Sequence, residues 1–326
     1  MNTKIFIGPM SKNIVDSVIE LSNDMNVGIG LIASRRQIEY NGGYVNNWTT
    51  NDFSNYVRSK TKNVILVRDH CGPNQGLFDD DGTVSFYNDC QNFDVIHIDV
   101  WKKYSELEDG IDKTIEFINT GYEINKNITY EVGTEESIRK FDERELYYML
   151  NQLQKKLHKD IFKKIKYCVI QSGTALKETK NIGVYDSERL KKMVNIVKNF
   201  NMISKEHNGD FITKEILKEK FFVGLDTINI APEFGQFETK IILDELKKID
   251  NSLIFDLFNI CYKSKKWEKW VDSTFIPENN KEDLIIICGH YLFSNDEFIK
   301  ITEKLDEDIL IKIKNNIKIK LMNYIR

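Results

Sequence analysis

Short apolar runs recur along this chain, and charged stretches with helical spacing separate them. The runs are VGIGLIAS (27–34), NVILVRDH (63–70), DVIHIDV (94–100), TYEVGTE (129–135), YCVIQSGT (167–174), NMISKEH (201–207), TINIAPEF (227–234) and LIIICGHYLF (284–293). The clearest helical stretches between them are IDKTIEFINTGY, RELYYMLNQLQKKLHKDIFKKI, SERLKKMVNIVKNF and FETKIILDELKKI. A short, continuously apolar run suits a strand covered on both faces, and strands alternating with helices form parallel βα units. Eight such runs predict an α/β fold, a (β/α)8 TIM barrel made by residues 1–326 as one domain. A doubly wound open sheet is the alternative. The long interval at roughly 235–283, which holds KSKKWEKWVDS, is expected to add a helical segment before strand 8 and to cover one end. The tail FIKITEKLDEDILIKIKNNIKIKLMNYI reads as closing helices.

Composition narrows the partners. With 46 basic and 50 acidic residues and a formal net charge of −4, the chain lacks the basic excess of a nucleic-acid surface. Small molecules or other proteins are expected instead. No apolar run approaches the ~18 residues of a membrane span, and the start MNTKIFIGPM lacks a signal-peptide core. Cys71, Cys90, Cys168, Cys261 and Cys288 form no CxxC pair. This pattern is expected of reduced thiols in a cytoplasmic protein.

Side chains alternate between the two faces of a strand. By that parity His97 and Asp99 share a face, as do Glu131 and Glu135, Lys205 and His207, Asn229 and Glu233, and Arg68 and His70. In most of these runs the polar face lies toward the C-terminal end, where a TIM barrel keeps its active site. The expected mouth therefore collects several groups. His70 and His207, with Glu135 or Glu233 as a third ligand, suit a divalent metal, zinc first and manganese, cobalt or iron as alternatives. Asp69, Asp99, Glu131 and Glu135 are the candidate acids and bases. Asp69 has the opposite parity to His70 and reaches the mouth only if the strand bulges. Asn74, Gln171, Lys205 and Arg68 are candidates for substrate binding. Lys205 is read as a cation for phosphate or carboxylate, with a Schiff base as the weaker reading. Arg35 and Arg36 could add anion contacts, and the loops SGT (172–174) and FGQ (234–236) are candidate phosphate cradles. His97 is read as a core residue and His158 as exposed, while His290 is a further possible ligand.

In order along the chain, SRRQIEYNGGY…TTNDF, RDHCGPNQG, VIHIDV, YEVGTE, VIQSG, KEHNGDF and INIAPEFGQFE resemble the class II tagatose-bisphosphate aldolase accessory-subunit family. The corresponding family stretches are similar to Q-x-x-x-x-GGY, DHxGPN, IHxD, GTE, QPG, EAHxTDY and VGPA. The resemblance spans roughly 30–240. Gln37, Gly42, Gly43, Tyr44, Asp69, His70, Gly72, Pro73, Asn74, Asp99, Gly133, Thr134, Glu135, Gln171, His207 and Asp210 fall on matching positions. It implies a TIM barrel related to zinc-dependent class II aldolases and to metal-dependent tagaturonate-type ketose epimerases. The chain departs from the pattern where QPG becomes QSG and where VGPA becomes Ile230-Ala231-Pro232-Glu233, which adds a carboxylate.

The expectation is a metal-dependent epimerase or aldolase acting on a ketose, a ketose phosphate or a related sugar. The alternative is a non-catalytic stabilising subunit of an aldolase. Expected partners are a sugar or sugar phosphate, with a second copy of the chain or an aldolase catalytic subunit as protein partners.

Overall fold

Eight parallel strands close a barrel in the computed structural model, which describes residues 3–77 and 80–325. Met1, Asn2, Phe78, Asp79 and Arg326 lie outside the described residues. The barrel strands are β1 (Ile5–Ile7), β2 (Ile29–Ser34), β3 (Val64–Cys71), β4 (Val95–Ile98), β5 (Thr129–Val132), β6 (Ile165–Val169), β9 (Ile203–Glu206) and β10 (Thr227–Ile230). Between β6 and β9 lies an antiparallel hairpin, β7 (Leu176–Lys177) with β8 (Lys180–Asn181). The barrel strands pair in chain order, and β1 closes the ring by pairing Phe6 with Asn229 on one side and with Gly30 on the other. Gly30 has a packing role here, because any Cβ at that position would overlap the Phe6 ring.

Helices follow the strands as the apolar spacing predicts. They are α1 (Lys12–Met25), α2 (Thr50–Arg58), α3 (Thr83–Asn92), α4 (Leu107–Ile124), α5 (Glu143–Lys156), α6 (Lys159–Phe162), α7 (Ser187–Asn199), α8 (Lys214–Val223) and α9 (Pro232–Ile249). The stretch read as one helix from Arg144 breaks at Leu157, which has extended backbone, and His158 then caps α6. After α9 come α10 (Leu253–Ser264), α11 (Lys281–Cys288), α12 (Asp296–Thr302) and α13 (Glu307–Ile325). The chain packs α11 and α13 against α9, and α13 also against α1.

Two expectations need correction. LIIICGHYLF is not a barrel strand, because 281–288 is helix and 289–292 a 3-10 turn. Leu284, Ile285, Ile287 and Cys288 are all buried, and a helix buried on most sides reads as a strand when only the apolar run is seen. The extra helices accordingly follow the last barrel strand and are not an insertion before it. The remaining strand is IFI at the start of the chain, three residues long and too short to stand out.

Inside the barrel, Phe6, Ile32, Val67, Val95 and Tyr167 form a separate apolar plug, and the larger core lies between strands and helices. The polar residues stand above the plug, at the C-terminal strand ends. All five cysteines are buried and free.

Candidate functional site

The mouth is organised by a bulge in β3. Arg68 pairs with Ile96 and Cys71 with Ile98, so Asp69 and His70 together oppose the single residue His97. The extra residue makes a β-bulge, which His70 absorbs with φ +47°, a region uncommon for a residue with a side chain. Asp69 continues the inward parity of Val67. His70 would otherwise point outward, and the bulge turns it in as well.

Three imidazoles converge there. The ring centroids of His70, His97 and His207 lie 5.3, 5.5 and 4.8 Å apart. Each ring has one nitrogen held from behind. Asp99 Oδ2 is 2.6 Å from His70 Nδ1, and Glu131 Oε1 is 2.6 Å from His207 Nε2. His97 Nε2 donates to the carbonyl of Gly133 at 3.0 Å, presented by a turn with φ +97° that suits glycine. The other three nitrogens face one carboxylate. Asp69 lies 3.5 Å from His70 Nε2, 3.2 Å from His97 Nδ1 and 3.5 Å from His207 Nδ1.

These residues fit a divalent cation. Imidazole ligands are ordinarily oriented by a carboxylate or carbonyl on the other nitrogen, which is the arrangement of all three rings. His207 Nδ1 is buried with no hydrogen-bond partner among the described residues, at a cost of about 1–3 kcal/mol that a ligand would remove. Two groups bring their ligand atoms within 4.8 Å of one another, Asp69 with His70 and His97, and His97 with Glu131 and His207. His97 Nδ1 also accepts the His70 amide at 3.2 Å, a bond it would exchange on binding a cation.

The electrostatics follow from this packing. Burial alone would raise Asp69, but His70, His207 and His97 hold it well below the carboxylate range. Burial would lower His70, yet Asp69 and Asp99 carry it up to about 10. Against burial, Lys205 and His207 bring Glu131 down to about 2. Burial is outweighed in the same way at Asp99, which His70 holds low. At His97, Asp69 and Glu131 overcome burial and raise the ring.

Several expected site residues have other roles. Arg68 points outward and is fully buried against α3, bonded to Asp89 at 2.7 Å and to the Ala33 carbonyl. The parity that paired it with His70 is broken by the bulge. Gln171 binds backbone groups of Phe141, Thr134 and Arg139 and accepts from Arg189, which fixes the loop after β5. Lys205 lies beneath the mouth on Glu131. Glu233 accepts from the Phe211 amide, Lys320 and Tyr324, so its oxygens are committed to structure and it is not one of the converging ligands. Asn74 sits in the loop after β3, where its carbonyl binds Lys102 and its amide binds the Asp80 carbonyl. Glu135 lines the pocket, with Ser137 donating to it, but lies outside both convergent groups. His97 is a member of the centre and not a bystander. His290 is buried against Gly235 and belongs to neither convergent group. The side chains of Ser172 and Thr174 donate to Glu206 and that of Gln236 to the Glu178 carbonyl, and FGQ lies within the first turns of α9 and not in a loop. Arg35 is held by Glu39 and Asp80.

Above the imidazoles lies a cavity of about 210 Å³. Asn229 is buried on its wall with both amide atoms unpaired, and Asp210 Oδ2 is likewise unpaired. The inward parity of Asn229 and His97 was visible in the sequence, and so was the match of Asp210 to the EAHxTDY stretch. Nothing in KSKKWEKW foretold that Lys269 and Trp270 would line the same pocket, as they do together with Arg36 and Tyr291. Lys269 as a residue is exposed, but its ammonium is tucked over two aromatic rings. Burial there, and the nearby Arg36, push it down to about 8.

No protein-family model matches the sequence, and no curated protein matches it. Solved structures do match in fold. A probable tagatose 6-phosphate kinase from Sinorhizobium meliloti 1021 aligns with TM-score 0.74 at 15% identity, covering 98% of this chain and 93% of that one. The fructuronate-tagaturonate epimerase of Cohnella laeviribosi aligns with TM-score 0.65 at 11% identity, covering 99% and 81%. A fructose-bisphosphate aldolase from Campylobacter jejuni aligns with TM-score 0.55 at 13% identity, covering 90% and 88%. The chain is thus similar in fold to sugar-processing TIM barrels, as its motifs led one to expect. Among the described residues, no helix is long and apolar enough to cross a membrane.

Proposed function

We propose that the chain is a metal-dependent enzyme that epimerises or cleaves a ketose, a ketose phosphate or a related sugar at the barrel mouth. The observation that carries this reading is the set of three backed imidazoles around Asp69, with His207 Nδ1 unpaired. Asp69, His70, His97 and His207 would hold the cation, His97 being common to both convergent groups. Zinc heads the candidates by its preference for imidazole and carboxylate. When bound, such an ion supplies Lewis acidity toward a carbonyl or hydroxyl oxygen.

The chain's own groups have distinct parts. Asp99 and Glu131 act through His70 and His207, fixing ring orientation and tautomer. Glu135 borders the cavity, and among the described residues its carboxylate accepts from the Ser137 hydroxyl alone, so it is the carboxylate best placed to move a proton. Asn229 offers an unpaired donor and acceptor to a sugar hydroxyl. Trp270 and Tyr291 supply aromatic wall to the cavity. The epimerase and aldolase among the fold relatives support this class of chemistry.

The ordered motifs also support a second reading, a stabilising subunit of a tagatose-bisphosphate aldolase. Metal content of the purified chain, measured by elemental mass spectrometry, separates the two. Near-stoichiometric metal, lost in His70→Ala and His207→Ala while circular dichroism is unchanged, is expected of the enzyme. Ketoses and ketose phosphates would then be screened for turnover. Failure to take up Zn²⁺ or Mn²⁺ would reject the enzyme reading.

A further inference from the structure

The rim of the cavity carries two cations that are in no ion pair among the described residues, although the Glu135 carboxylate acts on Lys269 from a distance. Arg36 follows β2, and its Nε donates to the Gly76 carbonyl at 3.1 Å. Lys269 belongs to a 3-10 turn, Glu268–Trp270, in the segment after α10. Both line the cavity, and neither forms an ion pair among the described residues. Glu135, on the same cavity, bonds to Ser137.

The two segments that carry them are fixed at the cavity from several sides. The Lys269 ammonium lies 4.8 Å from the Trp270 ring centroid and 4.9 Å from that of Tyr291. Tyr291 packs edge-on against Tyr44 at 5.0 Å, and the Tyr44 amide donates to the Arg36 carbonyl at 3.1 Å. On the other side the Glu178 amide donates to the Trp270 carbonyl, and Lys177 pairs with Asp272. The segment after α10 is therefore tied both to the Arg36 loop and to the β7–β8 hairpin. Two like charges held together are unfavourable. Aromatic faces offset this only in part, whereas an anion between them would reverse it.

We infer that Arg36 and Lys269 form an anion subsite at the cavity rim that takes the phosphate or carboxylate end of the substrate. The carbonyl and hydroxyl end then faces the imidazoles. This assignment of ends rests on the proposed function. It makes the substrate class an anionic sugar, and it gives the helical segment after the barrel a direct part in binding.

The test is isothermal titration of the full chain with inorganic phosphate, D-gluconate and neutral sorbitol, in both zinc-incubated and chelator-treated protein. Phosphate or gluconate should bind in both preparations and sorbitol should not. Arg36→Gln and Lys269→Gln, both at exposed residues, should each weaken anion binding by about tenfold or more. Tighter binding of phosphate would identify a phosphorylated sugar, and tighter binding of gluconate a sugar acid. Absence of anion preference, or affinity unchanged in both variants, would overturn the subsite. So would binding that depends on zinc and His207 but not on Arg36 or Lys269, which would place the anion on the metal centre. Anion binding that depends on Arg36 and Lys269 in a chain that takes up no metal would keep the subsite and remove the proposed enzyme.

Discussion

Lys205 is fully buried, its ammonium 2.7 Å from Glu131 Oε2 and 3.9 Å from the Phe6 ring centroid. Glu131 spends its other oxygen on His207, so the lysine steadies an imidazole it does not touch. Removing one partner of a buried ion pair leaves the other charge unpaired, at a cost of about 3–5 kcal/mol. Lys205→Met should therefore lose stability of that order in urea unfolding and weaken metal affinity about 10–100-fold through the loosened His207. Borohydride with a ketose should trap no adduct in the parent chain, since the ammonium does not line the cavity. A trapped adduct, lost in Lys205→Met, would return the lysine to the mouth as a nucleophile. At this scale much of the site was legible. Parity placed His207, Asp99 and Glu131 on the inner face because their strands are regular. It misplaced Arg68 because a bulge leaves no mark in the sequence. It undervalued His97 because a ring one step down a strand looks like core until its neighbours are known.

Element α13 reaches the mouth through a single residue. Lys320 and Tyr324 both bind Glu233 in the first turn of α9, and Glu233 accepts the Phe211 amide at 2.6 Å. The adjacent Asp210 accepts the amides of Ala231 and Glu233. The helix thus holds the loop that carries His207, Asn208 and Asp210. Tyr324→Phe should cost about 1.5–3 kcal/mol, the worth of a hydrogen bond to a charged group. Glu233→Gln should also destabilise, and in both variants metal stoichiometry should stay at the parent value. Metal loss in Glu233→Gln would make that carboxylate a ligand after all. Most barrel strands and the helices around them could be read from spacing, because a strand covered on both faces needs an unbroken apolar run. The first strand escaped because three residues carry too little pattern. The run at 284–293 misled because α11 is packed between α9 and α10, where apolar residues are required on nearly every side. The clip on Glu233 joins residues 87 and 91 positions apart, and no local pattern encodes it.

The closure of the whole molecule predicts its response to pH. The barrel seam joins β1 to β10. Outside it, Glu238 of α9 accepts from Asn13 at 2.7 Å and from Ser11, the residue that caps α1. Burial pushes the Glu238 carboxyl up to about 7 from its ordinary 4.5, against the pull of those two donors. Between these values the folded chain holds a proton that the unfolded chain has released. The stabilisation is complete below about 4.5, declines as pH rises through 7, and stays lost above it. The span corresponds to a difference on the order of 3 kcal/mol. Glu238→Gln keeps the shape of the protonated carboxyl and cannot ionise. In urea unfolding the variant should match the parent near pH 4.5 and exceed it above pH 7 by an amount of that order. Comparing the two chains cancels the acid-side losses from Asp69, Asp99 and Glu131, whose lowered values make their contributions fade as pH falls below the ordinary carboxylate range. It also cancels the loss from His70, whose raised value makes its contribution fade as pH climbs from 6.5 toward about 10. An equal gap between parent and variant at both pH values would mean that Glu238 takes up no proton on folding, and that the seam is held by a charged carboxylate.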